Sequence, residues 1–214
     1  MIEIIPTTVL VGTSVEFNEI VERYEPFFTR ISIDISDGIF TTVKTINGYE
    51  EIMDIKSKLN FDVHMMVENP QDKIHNWYNT KADRFFIHIE HNQHVMAQLI
   101  NQIHYYKKKI GIVINPDTEV EEVREFADAV DYVQFMTVQP GAYGREFIDG
   151  VLGKIIYFKE AYPNIPIAVD GGINLETISR VTRAGASVLF IGNYFYKSKD
   201  IGKSLGELTA VINS

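Results

Sequence analysis

Short apolar runs alternate with amphipathic stretches along the whole chain. The runs are Glu3–Ile5, Ile31–Ile35, Phe61–Met66, Arg84–Ile89, Ile110–Ile114, Tyr132–Met136, Ile165–Val169 and Val188–Ile191. Their Ile, Val and Phe content suits strands covered on both faces. Between them, Val15–Tyr24, Gly48–Lys58, Val95–Lys107, Val120–Ala127, Phe147–Ala161 and Leu175–Ala184 carry apolar residues at helical spacing. Pro70, Pro116, Pro140 and Gly185 punctuate the junctions. Eight strand-like runs alternating with helical stretches predict an α/β fold, a closed (β/α)₈ barrel, with residues 1–214 as a single domain. The competitor is an open doubly wound sheet. Its G-x-G-x-x-G fingerprint is missing after the first run, which leads instead into Pro6-Thr7-Thr8.

A barrel confines chemistry to the C-terminal ends of its strands and the loops that follow. Those ends bring forward Thr7; Asp34 with Ser36 and Asp37; His64 with Met66; His88 with Glu90; Asn115; Met136 with Thr137; Asp170; and Gly192 with Asn193. In Ile31-Ser32-Ile33-Asp34-Ile35 the period-2 alternation sends Ser32, Asp34 and Ser36 to the lumen and the isoleucines to the helices. A carboxylate aimed into a barrel needs a metal, a hydrogen-bond network or a substrate to offset its desolvation. Asp37, before Gly38, reads as a loop cap. Asp170, before Gly171-Gly172, fits either a turn aspartate bonding the next backbone groups or the partner of Asp34 in acid/base work on two faces of a substrate.

His64 shares the inward parity of Asp62. A lone strand histidine is more often a core residue than a ligand. Grouped with Asp34 and Asp170, however, it completes a nitrogen-plus-carboxylate set suited to a divalent zinc, iron, manganese or cobalt ion. His88 also has inward parity and can support that group. His75, His94 and His104 fall in helical stretches, and Trp77 and the thirteen Phe read as packing. Glycines gather at consecutive strand ends: Gly141 and Gly144 within Pro140-Gly141-Ala142-Tyr143-Gly144, then Gly171 and Gly172, then Gly192 beside Asn193. Each alone fits a tight turn. Together they predict a phosphate cradle of backbone N–H groups.

Composition narrows the partners. Among 214 residues, 20 Lys+Arg stand against 29 Asp+Glu, a net charge of −9. That balance disfavours nucleic acid or an anionic membrane as the main partner and leaves room for a small anionic ligand held by local donors. The chain has no cysteine, which excludes disulfides, thiolate nucleophiles and Cys-ligated zinc. No apolar run approaches the roughly 18 residues of a membrane span. Met1-Ile2-Glu3-Ile4-Ile5-Pro6 lacks the basic start of a secretory signal, so a cytoplasmic location is expected.

Five ordered motifs carry a resemblance. Asp34-Ile35-Ser36-Asp37-Gly38-Ile39-Phe40 resembles D-x-M-D-G-x-F, and Asp62-Val63-His64-Met65-Met66-Val67 resembles D-x-H-L-M-V. Asn115-Pro116-Asp117-Thr118 is similar to N-P-x-T, Met136-Thr137-Val138-Gln139-Pro140-Gly141 to M-T-V-x-P-G, and Val169-Asp170-Gly171-Gly172-Ile173 to V-D-G-G-I. These motifs belong to the ribulose-phosphate 3-epimerase family. The resemblance implies a TIM barrel of the ribulose-phosphate-binding type, a homo-oligomer, that inverts C3 of a ketopentose phosphate through an enediolate. It assigns Asp34 and Asp170 as the acid/base pair, Asp34, His64 and Asp170 as metal ligands, and Met66 and Met136 as the pocket wall. Thr7 falls where a substrate-contacting serine is usual.

The departures lie at the site. Ser32 stands where a histidine ligand is expected, and Ser36 where a methionine is. Thr41-Thr42-Val43 replaces V-P-N, Gly141–Gly144 reads Gly-Ala-Tyr-Gly rather than Gly-Phe-Gly-Gly, and Asn193 replaces a serine. One alternative is therefore a sugar-phosphate-binding barrel that is non-catalytic or altered in specificity. A lyase or decarboxylase of related barrels would resemble D-x-K-x-x-D, but Ser36 occupies the lysine position. A Schiff-base aldolase fails for the same lack of a strand-end lysine.

Overall fold

The computed structural model describes residues 2–141 and 144–214. Eight strands, β1 (Glu3–Pro6), β2 (Arg30–Ser36), β3 (Asn60–Met66), β4 (Ala82–His88), β5 (Lys109–Ile114), β6 (Tyr132–Met136), β7 (Ile167–Asp170) and β8 (Val188–Ile191), form one parallel sheet in the order β1-β8-β7-β6-β5-β4-β3-β2. The sheet curls until β1 meets β2, where the seam is a single parallel bridge, Thr7 with Ser32, and a 2.8 Å bond from the Thr8 N–H to the Ser32 carbonyl. The fold is the expected eight-stranded barrel.

Strand parity explains the two layers of core. Ile31, Ile33 and Ile35 of β2, Phe85 and Ile87 of β4, and Leu189 and Ile191 of β8 pack outward under the helices. Their alternates, among them Phe86, Val188 and Phe190 with Ile5, Val113 and Ala168, fill the barrel interior. Beneath that plug, Asp62 and Arg84 pair directly across β3 and β4 at the N-terminal end. Above it, at the C-terminal end, lie Asp34, His64, His88 and Asp170. The polar layer at the bottom holds the barrel together, and the one at the top is open to ligand.

The helices are α1 (Ser14–Tyr24), α2 (Tyr49–Asp54), α3 (Gln93–Tyr105), α4 (Gly150–Ala161), α5 (Ile178–Ala184), α6 (Asn193–Tyr196) and α7 (Ile201–Ile212). Two crossovers depart from the expected α-helix. After β3 the chain makes 3₁₀ turns at Pro70–Asp72 and Ile74–Trp77, and after β5 at Val120–Val123 and Ala127–Ala129. In the second, Val120, Val123 and Phe126 recur every third residue and are all buried. That is the repeat of a three-residue turn, and i to i+3 bonds such as Phe126 N–H to the Val123 carbonyl follow it. The seventh predicted strand also shifts, while the eighth, Val188–Ile191, stands as expected. β7 begins at Ile167 rather than Ile165 and includes Asp170, which therefore ends a strand instead of following one.

Candidate active site

Strand register assembles the centre. Asp34 on β2 lies beside His64 on β3, and Met136 on β6 beside Asp170 on β7. The seam and β8 close the ring, so Asp34 and Asp170 both approach one imidazole nitrogen. His64 Nδ1 is 3.6 Å from Asp34 Oδ1 and 3.3 Å from Asp170 Oδ2. One donor atom from each of the three residues falls within 4.8 Å of the others. The geometry the sequence required is met: the two carboxylates face one space rather than separate crevices.

Burial makes this a charged point in a poorly solvated place. His64 is 2% exposed and Asp34 9%. Burial alone would lower the His64 pKa, but Asp170 and Asp34 outweigh it and push the imidazolium up to about 9. Burial raises the Asp170 carboxyl, His64 pulls it back, and the nearby Asp34 charge raises it further. The nitrogen between the carboxylates is thus a cation position, for a proton or for a metal. His64 Nδ1 and Asp34 Oδ1 are both buried without a hydrogen-bond partner, so the ion-pair distances do not correspond to aligned hydrogen bonds. Two orphaned ligand atoms aimed at a shared point, in an N,O,O donor set, fit a divalent ion such as zinc, iron, manganese or cobalt. Ser32 lies one inward position below Asp34 on β2 and faces Asp62, not the ligand plane, across β3.

A cavity of about 680 Å³ opens above the three residues. Thr7, Met66 and Met136 line its wall with them. Thr7 is 3% exposed and accepts the Val9 N–H at 3.3 Å. Gly141, Gly144, Gly171, Gly172, Gly192 and Asn193 line the other half. These loops sit tightly. Gly171 has φ +109°, and a Cβ there would meet Val138 Cγ2 at 2.5 Å. The Asn193 side-chain amide comes within 3.6 Å of where a Gly144 Cβ would stand. Ala142 and Tyr143, the middle of the predicted glycine-bearing segment, lie outside the described residues.

Six strand-end residues do not reach the cavity wall, His88 and Glu90 among them. Ser36 bonds Thr41 Oγ1 and the Val43 carbonyl, each at 2.7 Å, and so ties down the loop after β2. Asp37 caps that loop by accepting the N–H groups of Ile39 and Phe40, as a turn aspartate should. Thr137 donates to the Asp170 and Gly171 carbonyls. The Asn115 N–H donates to Glu90. Sequence reasoning also missed residues that matter. Phe40 packs on His88 with ring centroids 4.6 Å apart and planes tilted by 48°. Arg145, Arg180 and Lys197 bring side-chain cations to the cavity wall that the backbone-cradle expectation did not require. Arg145 follows Gly144 directly, which was the one available signal.

Fold and site together define an eight-stranded parallel barrel whose mouth gathers two carboxylates and an imidazole able to hold a divalent ion. Comparison with known proteins sharpens the class. A model of the "Ribulose-phosphate 3 epimerase family" matches residues 5–196. The "Ribulose-phosphate 3-epimerase" of Aquifex aeolicus (strain VF5) is 34% identical over 189 residues, covering 85% of this chain and 83% of that protein. The protein of the same name from Bacillus subtilis (strain 168) is 33% identical over 214 residues, covering 97% and 98%. Among solved structures, a 3-hexulose-6-phosphate synthase superposes with a TM-score of 0.71 at 16% identity, over 99% of this chain and 100% of that one. Orotidine 5′-monophosphate decarboxylase from Sulfolobus solfataricus gives 0.66 at 12% identity, over 100% and 98%. These last two share the fold alone. The chain belongs to the ribulose-phosphate 3-epimerase family. It is an epimerase-type isomerase acting on a carbohydrate, and the family supports a pentose phosphate as its substrate. No helix among the described residues is long and apolar enough to cross a membrane.

Proposed function

We propose that this chain, working as a single barrel domain, interconverts ribulose 5-phosphate and xylulose 5-phosphate, or a close analogue, by proton transfer at C3 between Asp34 and Asp170. The observation that carries this reading is the convergence of both carboxylates on His64 within one cavity, at 3.6 and 3.3 Å. One aspartate removes the C3 proton from one face. The other delivers a proton to the opposite face of the planar enediolate, and inversion results. Burial and the neighbouring Asp34 charge raise the Asp170 pKa, the direction that favours a proton-delivering role. Asp34, His64 and Asp170 would hold the divalent ion, whose chemical contribution is Lewis-acid polarisation of the ketone. Met66 and Met136 give the reacting carbons an apolar wall that keeps water from quenching the enediolate. Thr7 and His64 contact the sugar, and Gly141, Gly144, Gly171, Gly172, Gly192 and Asn193 receive the phosphate. The net charge of −9 disfavours nucleic-acid or membrane partners. The enzyme is cytoplasmic and homo-oligomeric on the strength of the family resemblance.

The direct test is incubation of the purified chain with ribulose 5-phosphate in deuterated water, with Zn²⁺, Mn²⁺, Fe²⁺ or Co²⁺ supplied, followed by NMR at C3. Deuterium at C3 with formation of the epimer is expected. Its absence from every ketose phosphate tried refutes the proposal. Thermal stabilisation by sugar phosphates that persists in Asp34→Asn, with no exchange in the parent, would establish a binding-only barrel instead.

A further inference from the structure

Behind the proposed reaction centre a line of buried polar groups runs away from the cavity. His64 Nε2 lies 2.9 Å from His88 Nε2, and His88 Nδ1 lies 3.0 Å from Glu90 Oε2. The other Glu90 oxygen, Oε1, accepts the Asn115 N–H at 2.8 Å and the Thr118 hydroxyl. His88 is fully buried and covered by Phe40, so solvent does not reach its ring nitrogens.

Hydrogen-bond logic fixes where each proton sits. Glu90 only accepts, so His88 Nδ1 carries a hydrogen. A second proton on His88 would bury a full charge with Glu90 as its counter-ion and aim it at the His64 ring, so His88 Nε2 is a lone pair. Two lone pairs cannot face each other at 2.9 Å. His64 Nε2 must therefore keep its hydrogen, and Nδ1 is the nitrogen that exchanges a proton for a metal. The reverse order, with His64 donating from Nδ1 to the carboxylates, would align Nδ1 with an acceptor. Nδ1 has none in hydrogen-bond geometry.

We propose that Glu90 is a positioning residue that acts through His88 to hold His64 in the one tautomer whose Nδ1 can ligate a metal. This rests on the reading of Asp34, His64 and Asp170 as the metal-holding set. The substitution Glu90→Gln makes a specific prediction. Asn115 N–H and Thr118 Oγ1–H both point at Oε1, so the glutamine oxygen takes that side and its NH₂ faces His88 Nδ1. The donor then forces His88 into the Nε2–H form, which forces His64 to accept at Nε2 and hold its proton on Nδ1. One isosteric change thus reverses both rings.

The test uses the full chain with ¹⁵N-labelled histidine. Long-range nitrogen–proton NMR on the metal-free parent should find His88 Nε2 unprotonated and His64 Nε2 protonated. E90Q should reverse both, and its Co²⁺ affinity, followed by absorbance, should fall ~10–100-fold. A parent His88 that is protonated at Nε2 overturns the proposal whether or not E90Q folds. So does an E90Q protein that keeps the parent's tautomers or binds Co²⁺ equally well. A parent that binds no Co²⁺ refutes the metal reading, while the tautomers, read without metal, still decide the role of Glu90.

Discussion

Stability and chemistry sit at opposite ends of this barrel, and Arg84 is where that separation can be measured. Its guanidinium grips the fully buried Asp62 through Nε at 2.7 Å and Nη2 at 2.6 Å. It reaches Glu3 at 2.9 and 3.2 Å and lies over the Tyr132 ring. Replacing Arg84 by Met removes the charge and keeps much of the volume, so Asp62 is left buried with a single cation, Arg30 Nη1 at 2.6 Å. Breaking one partner of a buried pair costs about 3–5 kcal/mol, and the surviving Arg30 contact argues for about 3. At roughly 2–4 °C per kcal/mol for a chain of this size, Tm should fall by about 6–12 °C. The double change D62L/R84M deletes both charges and should recover most of that loss. Denaturant unfolding and scanning calorimetry report the stabilities, and C3 epimerisation at 20 °C reports function. The folded R84M protein should keep kcat within a factor of a few, because Asp34, His64 and Asp170 lie on the far side of the apolar plug. A loss under about 1 kcal/mol, or a tenfold drop in kcat while folded, would refute the division.

Three further outcomes follow from the same geometry. Gln134 is fully buried in the apolar interior with Oε1 unpartnered and only a 3.4 Å contact from its amide to Met136 Sδ; Gln134→Leu should raise stability by about 1–3 kcal/mol, read as a higher denaturation midpoint. Gly171→Ala places a Cβ against Val138 on a left-handed backbone at a cost of about 1–3 kcal/mol, and KM for the phosphorylated substrate should rise more than kcat falls. Asp170→Asn should slow epimerisation about 10²–10⁴-fold while one epimer still exchanges its C3 proton through Asp34, which NMR in deuterated water distinguishes from loss of both steps.

Much of this was readable from parity alone. Ile31, Ile33 and Ile35 had to face one way and Ser32, Asp34 and Ser36 the other, and that alternation fixed Asp34 as an inward carboxylate. Strand-end position then selected His64, Met66, Met136 and Asp170, all of which line the cavity. What the linear pattern hid depends on spacing between strands. Asp62 and His64 share an inward parity, yet one pairs with Arg84 at the bottom and the other with the carboxylates at the top. The β3–β4 register, which shifts between Phe61 and Asp62, sets His64 opposite Phe86 and so leaves His88 one inward step higher, within reach of its ring. No local pattern encodes that offset. Val120–Ala127 failed differently, since over eight residues a repeat of three and one of 3.6 place apolar side chains almost identically.

The solved structures of similar fold include a synthase and a decarboxylase, so the barrel by itself does not select a reaction. The selection lies in a few inward positions. At Ser36, where a lysine would serve a lyase or decarboxylase as proton donor, the hydroxyl is turned into the β2 loop and held by Thr41 and Val43. It supplies neither charge nor proton to the cavity. The titratable groups that the strand ends gather at one point of the cavity are two carboxylates and the imidazole between them. A carbanion formed between Asp34 and Asp170 has a carboxyl group on each side, which favours moving a proton from face to face over breaking a carbon–carbon bond. On this argument, Ser36→Lys should show no carbon–carbon cleavage of ketose phosphates in a lyase assay, because the β2 loop, and not residue type alone, decides whether a side chain at 36 reaches the cavity.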